Sequence, residues 1–219
     1  MAEIDFLSEF NARTKRDYRQ RVIEHDKAAC AKVAKEWGTD YWDGDRRYGY
    51  GGMRYDGRWL PLAKKLAAHY GLRPGMRVLD IGCGKGFLLY ELTQAVPGLQ
   101  VAGLDVSRYA LANAKEEIRP FLTHGNCTTL PWPDGHFDLA LSILVFHNLY
   151  IFDLKKALAE IERAARQKYL CVESYRNEYE KANLLAWQLT CEMFFTPEEW
   201  RWLFAEFGYT GDHGFIFFE

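Results

Sequence analysis

The sequence predicts an α/β domain built on a doubly wound, mostly parallel sheet, and three observations carry that prediction. From Trp59 onward, short apolar runs alternate with helical stretches, the pattern of a parallel sheet wrapped by crossover helices. The run Arg77-Val78-Leu79-Asp80-Ile81 leads into the glycine-spaced turn Gly82-Cys83-Gly84-Lys85-Gly86 and then at once into Phe87-Leu88-Leu89-Tyr90-Glu91-Leu92. Strand, glycine turn and helix are the parts from which such proteins build a nucleotide-binding edge. Finally, Phe137 to Ile143 is apolar along most of its length, as in a strand covered on both faces.

The elements follow in order. Residues 1 to about 37 read as helical and charged: Tyr18, Val22, Ala29 and Val33 fall at helical spacing, and Lys15, Arg16, Arg19 and Arg21 sit mostly elsewhere. The stretch Trp37 to Gly52 has too much glycine for a helix and no strand alternation. It is too aromatic for a disordered linker, so an ordered loop with a function is expected. A helix is expected over Pro61 to Tyr70, a strand over Met76 to Ile81, a helix over Phe87 to Val96 and a strand over Gln100 to Leu104. Ser107 is placed to cap a helix running to about Ile118, ahead of Pro120 and a short strand near Phe121 to Thr123. After the strand Phe137 to Ile143 come a helix over Leu154 to Ala165, a strand over Tyr169 to Val172 and an inserted helical stretch over Tyr175 to Phe195. Thr196-Pro197-Glu198-Glu199 combines a threonine cap, proline at the first helical position and glutamate at the third, a strong helix start. Tyr209 to Asp212 and Phe215 to Phe218 read as a terminal antiparallel hairpin, for seven strands in all. Two units are expected: a helical and loop lid over 1–58 and the α/β domain over 59–219.

Composition narrows the function. At 219 residues there is room for one well-buried domain with an appendage. A net charge of -2, with no basic stripe, argues against nucleic acid or an anionic membrane as partner. The five cysteines are scattered, odd in number and never in a C-x-x-C pair, which points to a reducing compartment and away from a structural metal. The N-terminal residues show no signal pattern, and Leu139 to Phe146 is too short to span a bilayer, so a cytoplasmic monomer or homodimer is expected.

The glycine turn separates two cofactor classes. A dinucleotide site would read G-x-G-x-x-G with an acid about 20 residues on. Here the spacing is G-x-G-x-G, Asp80 precedes the first glycine by two positions, and Asp105 ends the next strand. This order resembles the class I S-adenosylmethionine-dependent methyltransferases, over about residues 60 to 219. So does Gly125-Asn126-Cys127-Thr128-Thr129-Leu130-Pro131-Trp132, followed by Phe137-Asp138. The resemblance implies S-adenosylmethionine as cofactor, with Asp80, Gly82, Cys83, Gly84 and Gly86 around its methionine part. It implies Asp105 on the ribose hydroxyls, as an acceptor-only carboxylate suits, with Val106, Asn126, Cys127 and Ser142 completing the site. Asn126 stands where the family has an acid.

Ligands in open α/β sheets bind beyond the carboxyl ends of the strands. That draws attention to His147, whose ordinary pKa near neutrality suits a general base, and to Glu173 after the next strand. Tyr50 completes the catalytic candidates. With Arg46, Arg47 and Tyr48 it gives the aromatic loop a cationic, hydrogen-bonding surface. The expected reaction is methyl transfer to oxygen or nitrogen of a small polar acceptor, such as a sugar, a sugar nucleotide or an amino-acid derivative. A nicotinamide-dependent oxidoreductase and a non-catalytic binding subunit are the alternatives.

Overall fold

The computed structural model describes residues 1–7 and 17–219, so Lys15 and Arg16 of the N-terminal basic cluster lie outside the described residues. The chain enters through α1 (Tyr18–Glu24) and α2 (Lys27–Ala34), a single turn α3 (Thr39–Trp42) and α4 (Leu60–Tyr70). It then alternates: β1 (Arg77–Ile81), α5 (Phe87–Ala95), β2 (Gln100–Asp105), α6 (Arg108–Ala112), β3 (Leu122–His124), β4 (Phe137–Ile143). α7 (Ile151–Ala164), β5 (Ala165–Glu173), α8 (Glu178–Trp187), α9 (Pro197–Glu206) and β6 (Asp212–Ile216) complete it. The strands lie in the order β3-β2-β1-β4-β5-β6, and every pairing is parallel.

Side chains of the central strands alternate between two apolar layers, as the two-residue strand period requires. Val78, Leu139, Leu141, Tyr169 and Cys171 pack with Leu62, Leu66, Leu88 and Leu92 of α4 and α5. Leu79, Ala140, Leu170 and Val172 pack on the opposite face with Leu154, Leu158 and Ile161 of α7 and Trp200 and Phe204 of α9. Both faces are therefore covered. Asp80, buried at the end of β1, is a polar intrusion in this apolar frame.

Two features depart from the sequence reading. Among the described residues the sheet has six strands, not seven, and the antiparallel terminal hairpin is replaced by one parallel strand. Tyr209 to Gly211 does not pair. Its turn, closed by the Tyr209 hydroxyl donating to the Asp212 carbonyl at 2.7 Å, feeds α9 directly into β6. A strand that follows a crossover helix enters the sheet parallel. Phe218 leaves the ladder to pack with Tyr175 and Leu184. The helix after Ser107 is also shorter than expected and ends at Ala112. Beyond it the chain is drawn toward the glycine turn, where the Lys115 amide donates to the Lys85 carbonyl. Ser107 does cap α6, accepting from the Ala110 amide, and Thr196 and Glu199 form the expected reciprocal cap on α9.

Candidate active site

β1 and β4 are neighbours while their following connections leave in opposite directions along the sheet, which opens a crevice at their carboxyl ends. The glycine turn follows β1 at this end of the sheet. Gly82, Gly84 and Gly86 all have positive φ, at 81°, 54° and 71°. A Cβ on Gly82 would overlap the Val145 side chain, and one on Gly84 would lie 2.7 Å from the Trp42 ring. The first amides of the turn are held by β2: Gly82 and Cys83 donate to the Leu104 carbonyl at 2.7 and 3.2 Å.

Asp105 ties this turn to the end of its own strand. One carboxylate oxygen accepts from the Gly84 amide at 2.7 Å and the other from the Ser107 amide at 2.7 Å. Each oxygen keeps a further lone pair for a hydroxyl donor. Burial raises the Asp105 pKa, partly offset by those amides. Asp80 sits alongside, and burial together with the Asp105 charge pushes it up to about 7. Two buried carboxyls side by side favour a cationic guest, and Val106, half exposed next to Asp105, offers an apolar surface to a planar one. These residues fit a cationic nucleoside cofactor with a sulfonium and an ammonium group.

The other expected cofactor residues are disposed differently. The Asn126 amide oxygen already closes a turn, accepting from the Thr128 amide and hydroxyl, both at 3.0 Å. Cys127 is packed into the core with its thiol pushed up to about 12, and the buried Cys83 thiol is also raised, chiefly by desolvation. Both thiols stay protonated and unreactive at neutral pH. Ser142 is buried, and its hydroxyl donates to the Ile81 carbonyl at 3.0 Å, so it fastens β4 to β1.

Beyond the end of β4 stands Leu144, a non-glycine residue at φ 61°. Holding leucine there costs on the order of 1 kcal/mol. The strained turn carries the chain into a short 3-10 turn, Phe146–Asn148, that buries His147 beneath β5. His147 Nδ1 accepts from the Glu173 amide at 3.3 Å, which leaves the ring proton on Nε2, 3.3 Å from Glu173 Oε2. Burial pushes the His147 pKa down to about 3, so the expected titration near neutrality is absent and the ring is neutral at pH 7. Glu173 Oε1 accepts from Gln188 Nε2. Arg176 does not pair with Glu173; its ion pairs are with Glu180 and Glu219.

His147 and Glu173 open on a cavity of about 1220 Å³ whose walls include Leu144, Tyr41, Tyr50, Arg46, Trp187 and Gln188. Tyr41 and Tyr50 share a hydrogen bond, and desolvation raises both phenols above their usual value. Arg47 and Tyr48, expected beside them, pair with each other outside this cavity.

Trp42, Asp43 and Lys85, which sequence reasoning did not assign to the site, join its two halves. Trp42 is buried on Gly84, stacks on Tyr50 with centroids 5.3 Å apart and planes at 18°, and donates to the Ser107 hydroxyl at 2.9 Å. Lys85, buried within the glycine turn, binds both oxygens of Asp43 at 2.7 Å and the Met53 carbonyl at 2.9 Å. The available signal was a lysine inside an otherwise apolar and glycine-rich motif, with an acid in the aromatic loop.

The fold, the glycine turn and the paired acids resemble those of a class I S-adenosylmethionine-dependent methyltransferase domain. Residues 79–172 match the family described as a methyltransferase domain, whose methyl donor is S-adenosylmethionine. Among curated relatives, the demethylmenaquinone methyltransferase of Symbiobacterium thermophilum is 29% identical over 128 residues, 54% of this chain and 50% of that protein. The demethylmenaquinone methyltransferase of Thermus thermophilus is 34% identical over 113 residues, 49% of each chain. The chain thus spans about half the length of these relatives. The solved structure of the YcgJ protein from Bacillus subtilis shares the fold, at 22% identity and a TM-score of 0.55, over 69% of this chain and 68% of that one. No helix among the described residues is long and apolar enough to cross a membrane.

Proposed function

We propose that this chain transfers a methyl group from S-adenosylmethionine to an oxygen or nitrogen of a small polar acceptor held in the Glu173 cavity. The cofactor supplies a methyl already activated on a sulfonium, so the chain's own task is alignment, exclusion of water and removal of an acceptor proton. Asp80 and Asp105 hold the cationic and ribose parts, with the glycine turn allowing close approach.

The observation that carries the acceptor side is the Glu173 carboxylate. It is buried at the end of β5, beside the cavity, and lies between the neutral His147 ring and Gln188. In this reading Glu173 takes the proton from an acceptor hydroxyl or ammonium, and His147 is a positioning residue that holds it. Tyr50, a phenol on the cavity wall that is neutral at pH 7, donates a hydrogen bond to the acceptor. Residues 1–58 act as the lid of a catalytic domain over 59–219: the contacts of Asp43 with Lys85 and of Trp42 with Gly84 support closure over the cofactor.

A second reading has a quinone-type ring as acceptor, favoured by the names of the curated relatives. Incubation with methyl-labelled cofactor and either a metabolite extract or a demethylmenaquinone separates the two. Label in a water-soluble product is expected; label only in the quinone would replace the polar-acceptor reading.

A further inference from the structure

Besides Leu144, the described residues hold one other non-glycine residue at positive φ: Trp37, which opens the aromatic loop, at 53°. A bulky residue persists there only where its surroundings fix it. The Trp37 carbonyl accepts from Trp42 Nε1 at 3.1 Å and from the Ser107 hydroxyl at 2.5 Å. The Ser107 oxygen accepts in turn from Trp42 Nε1 at 2.9 Å and from the Ala110 amide at 3.0 Å. One donor and two acceptor sites are the whole capacity of a serine hydroxyl. Ser107 is thus fully committed, and two of those three bonds go to the aromatic loop. Its own amide donates to Asp105 at 2.7 Å, so the loop is tied through one residue to the carboxylate at the end of β2.

A second tie runs to the glycine turn. Asp43, which takes the buried Lys85 ammonium on both oxygens, also accepts from the Tyr109 hydroxyl at 2.9 Å and the Met53 amide at 3.1 Å. Desolvation would raise the Asp43 carboxyl, but hydrogen bonds from Lys85 and Tyr109 hold it below the usual range, so it is ionised at neutral pH. The loop is bonded internally as well. The Tyr50 amide donates to the Tyr41 carbonyl at 2.8 Å, and the Gly52 and Met53 amides donate to the Trp42 carbonyl at 3.1 and 3.0 Å. Trp42, Asp43, Tyr50 and Met53 therefore keep fixed places relative to one another, and seating one seats the others. Given the proposed seating of S-adenosylmethionine at the glycine turn and Asp105, on which the assignment rests, we infer that Trp42 and Ser107 are positioning residues for the cofactor, setting the Asp105 carboxylate, and that the Lys85–Asp43 pair clamps the aromatic loop onto them. Because Trp42 covers Gly84, the cofactor enters and leaves with the loop lifted, and bound cofactor holds the loop down.

The test titrates S-adenosylhomocysteine calorimetrically into the full chain and its variants, with a thermal melt of each ligand-free protein. Trp42→Phe keeps a ring on Gly84 and loses the indole donor, and Ser107→Ala loses the hydroxyl. Each should weaken binding at least about fivefold, the loss of one hydrogen bond, and Ser107→Thr should recover most of it. Lys85→Met and Asp43→Asn should each weaken binding, and combined should cost no more than the worse of the two, as partners in one pair do. In the unaltered protein, trypsin cleavage after Arg47, exposed on the loop, should slow at least about tenfold with saturating S-adenosylhomocysteine, since proteolysis follows the opened population. That reading and Ser107→Thr need no destabilised variant. Affinity unchanged in both Trp42→Phe and Ser107→Ala, even with a lower Tm, or cleavage after Arg47 that the ligand does not slow, would overturn the clamp. Tight S-adenosylhomocysteine binding beside such a failure would leave the cofactor site standing, whereas no binding to the unaltered protein would overturn both.

Discussion

The two sides of the crevice are built in different ways. The proposed cofactor side is local: Asp80, the glycine turn and Asp105 fall within one strand–helix–strand unit, and their geometry is set by backbone amides and positive φ angles. The proposed acceptor side is assembled from places far apart in the chain. Arg21, Tyr50, His147, Glu173 and Gln188 meet only because α1, the aromatic loop and the two strand ends converge on one cavity. A local site tolerates little change in backbone and leaves a spacing signature. A convergent site can exchange side chains to suit a new acceptor while the cofactor side stays the same.

The largest expected effect lies on the acceptor side. Glu173→Gln keeps the shape and the Gln188 contact but removes the base, and should lower turnover by about 10²- to 10⁴-fold. Its cofactor affinity should stay within about twofold of the unaltered protein. A large loss of cofactor affinity in this variant would blur the division between the two sides. On the cofactor side, Gly82→Ala forces a Cβ against Val145 at φ 81° and should destabilise the fold by on the order of 3 kcal/mol. That corresponds to a fall of roughly 6–12 °C in Tm for a chain of this length. A thermal melt within 2 °C of the unaltered protein, by the same conversion, would show that the turn has room to relax.

A smaller effect is proton-linked. Asp80 rises from an ordinary 3.8 to about 7 in the folded protein, so it is protonated and neutral at pH 6. A cationic ligand binds the ionised form better, so its binding expels the proton. Affinity for S-adenosylmethionine should therefore rise several-fold from pH 6 to pH 7.5 and level off above that. The stability term runs the other way: the raised pKa stabilises the fold fully below about pH 4 and is lost as pH climbs through about 7. Affinity that is flat over this range, or that keeps its slope in Asp80→Asn, would remove Asp80 from the account.

The asymmetry also explains what could be read from the chain. The β1 turn, Asp105 and the strand–helix alternation were legible because each is a short-range pattern with one physical solution. The terminal hairpin was misread because apolar residues at Phe215 to Phe218 suit a parallel edge strand and a packed tail as well as a hairpin. Ser142 lies at the right strand end, yet its hydroxyl turns inward to Ile81, a choice that sequence spacing does not reveal. His147 was read as a base beyond the end of its strand, but its burial, and so its loss of basicity, depends on the strained turn at Leu144 and on Glu192 and Met193 donating to its carbonyl. Trp42 and Lys85 carry no motif of their own and emerge only when the aromatic loop folds over the glycine turn.

Calorimetric titration with S-adenosylmethionine, S-adenosylhomocysteine and NAD, on the unaltered protein and on Asp105→Ala, bears most directly on the central claim. The account predicts one saturable site for the first two ligands and no heat with NAD. Asp105→Ala should weaken binding at least about tenfold, the loss of one charge-assisted hydrogen bond of roughly 1.4 kcal/mol. Binding of NAD without response to the other two ligands, or equal affinity in Asp105→Ala, would contradict it.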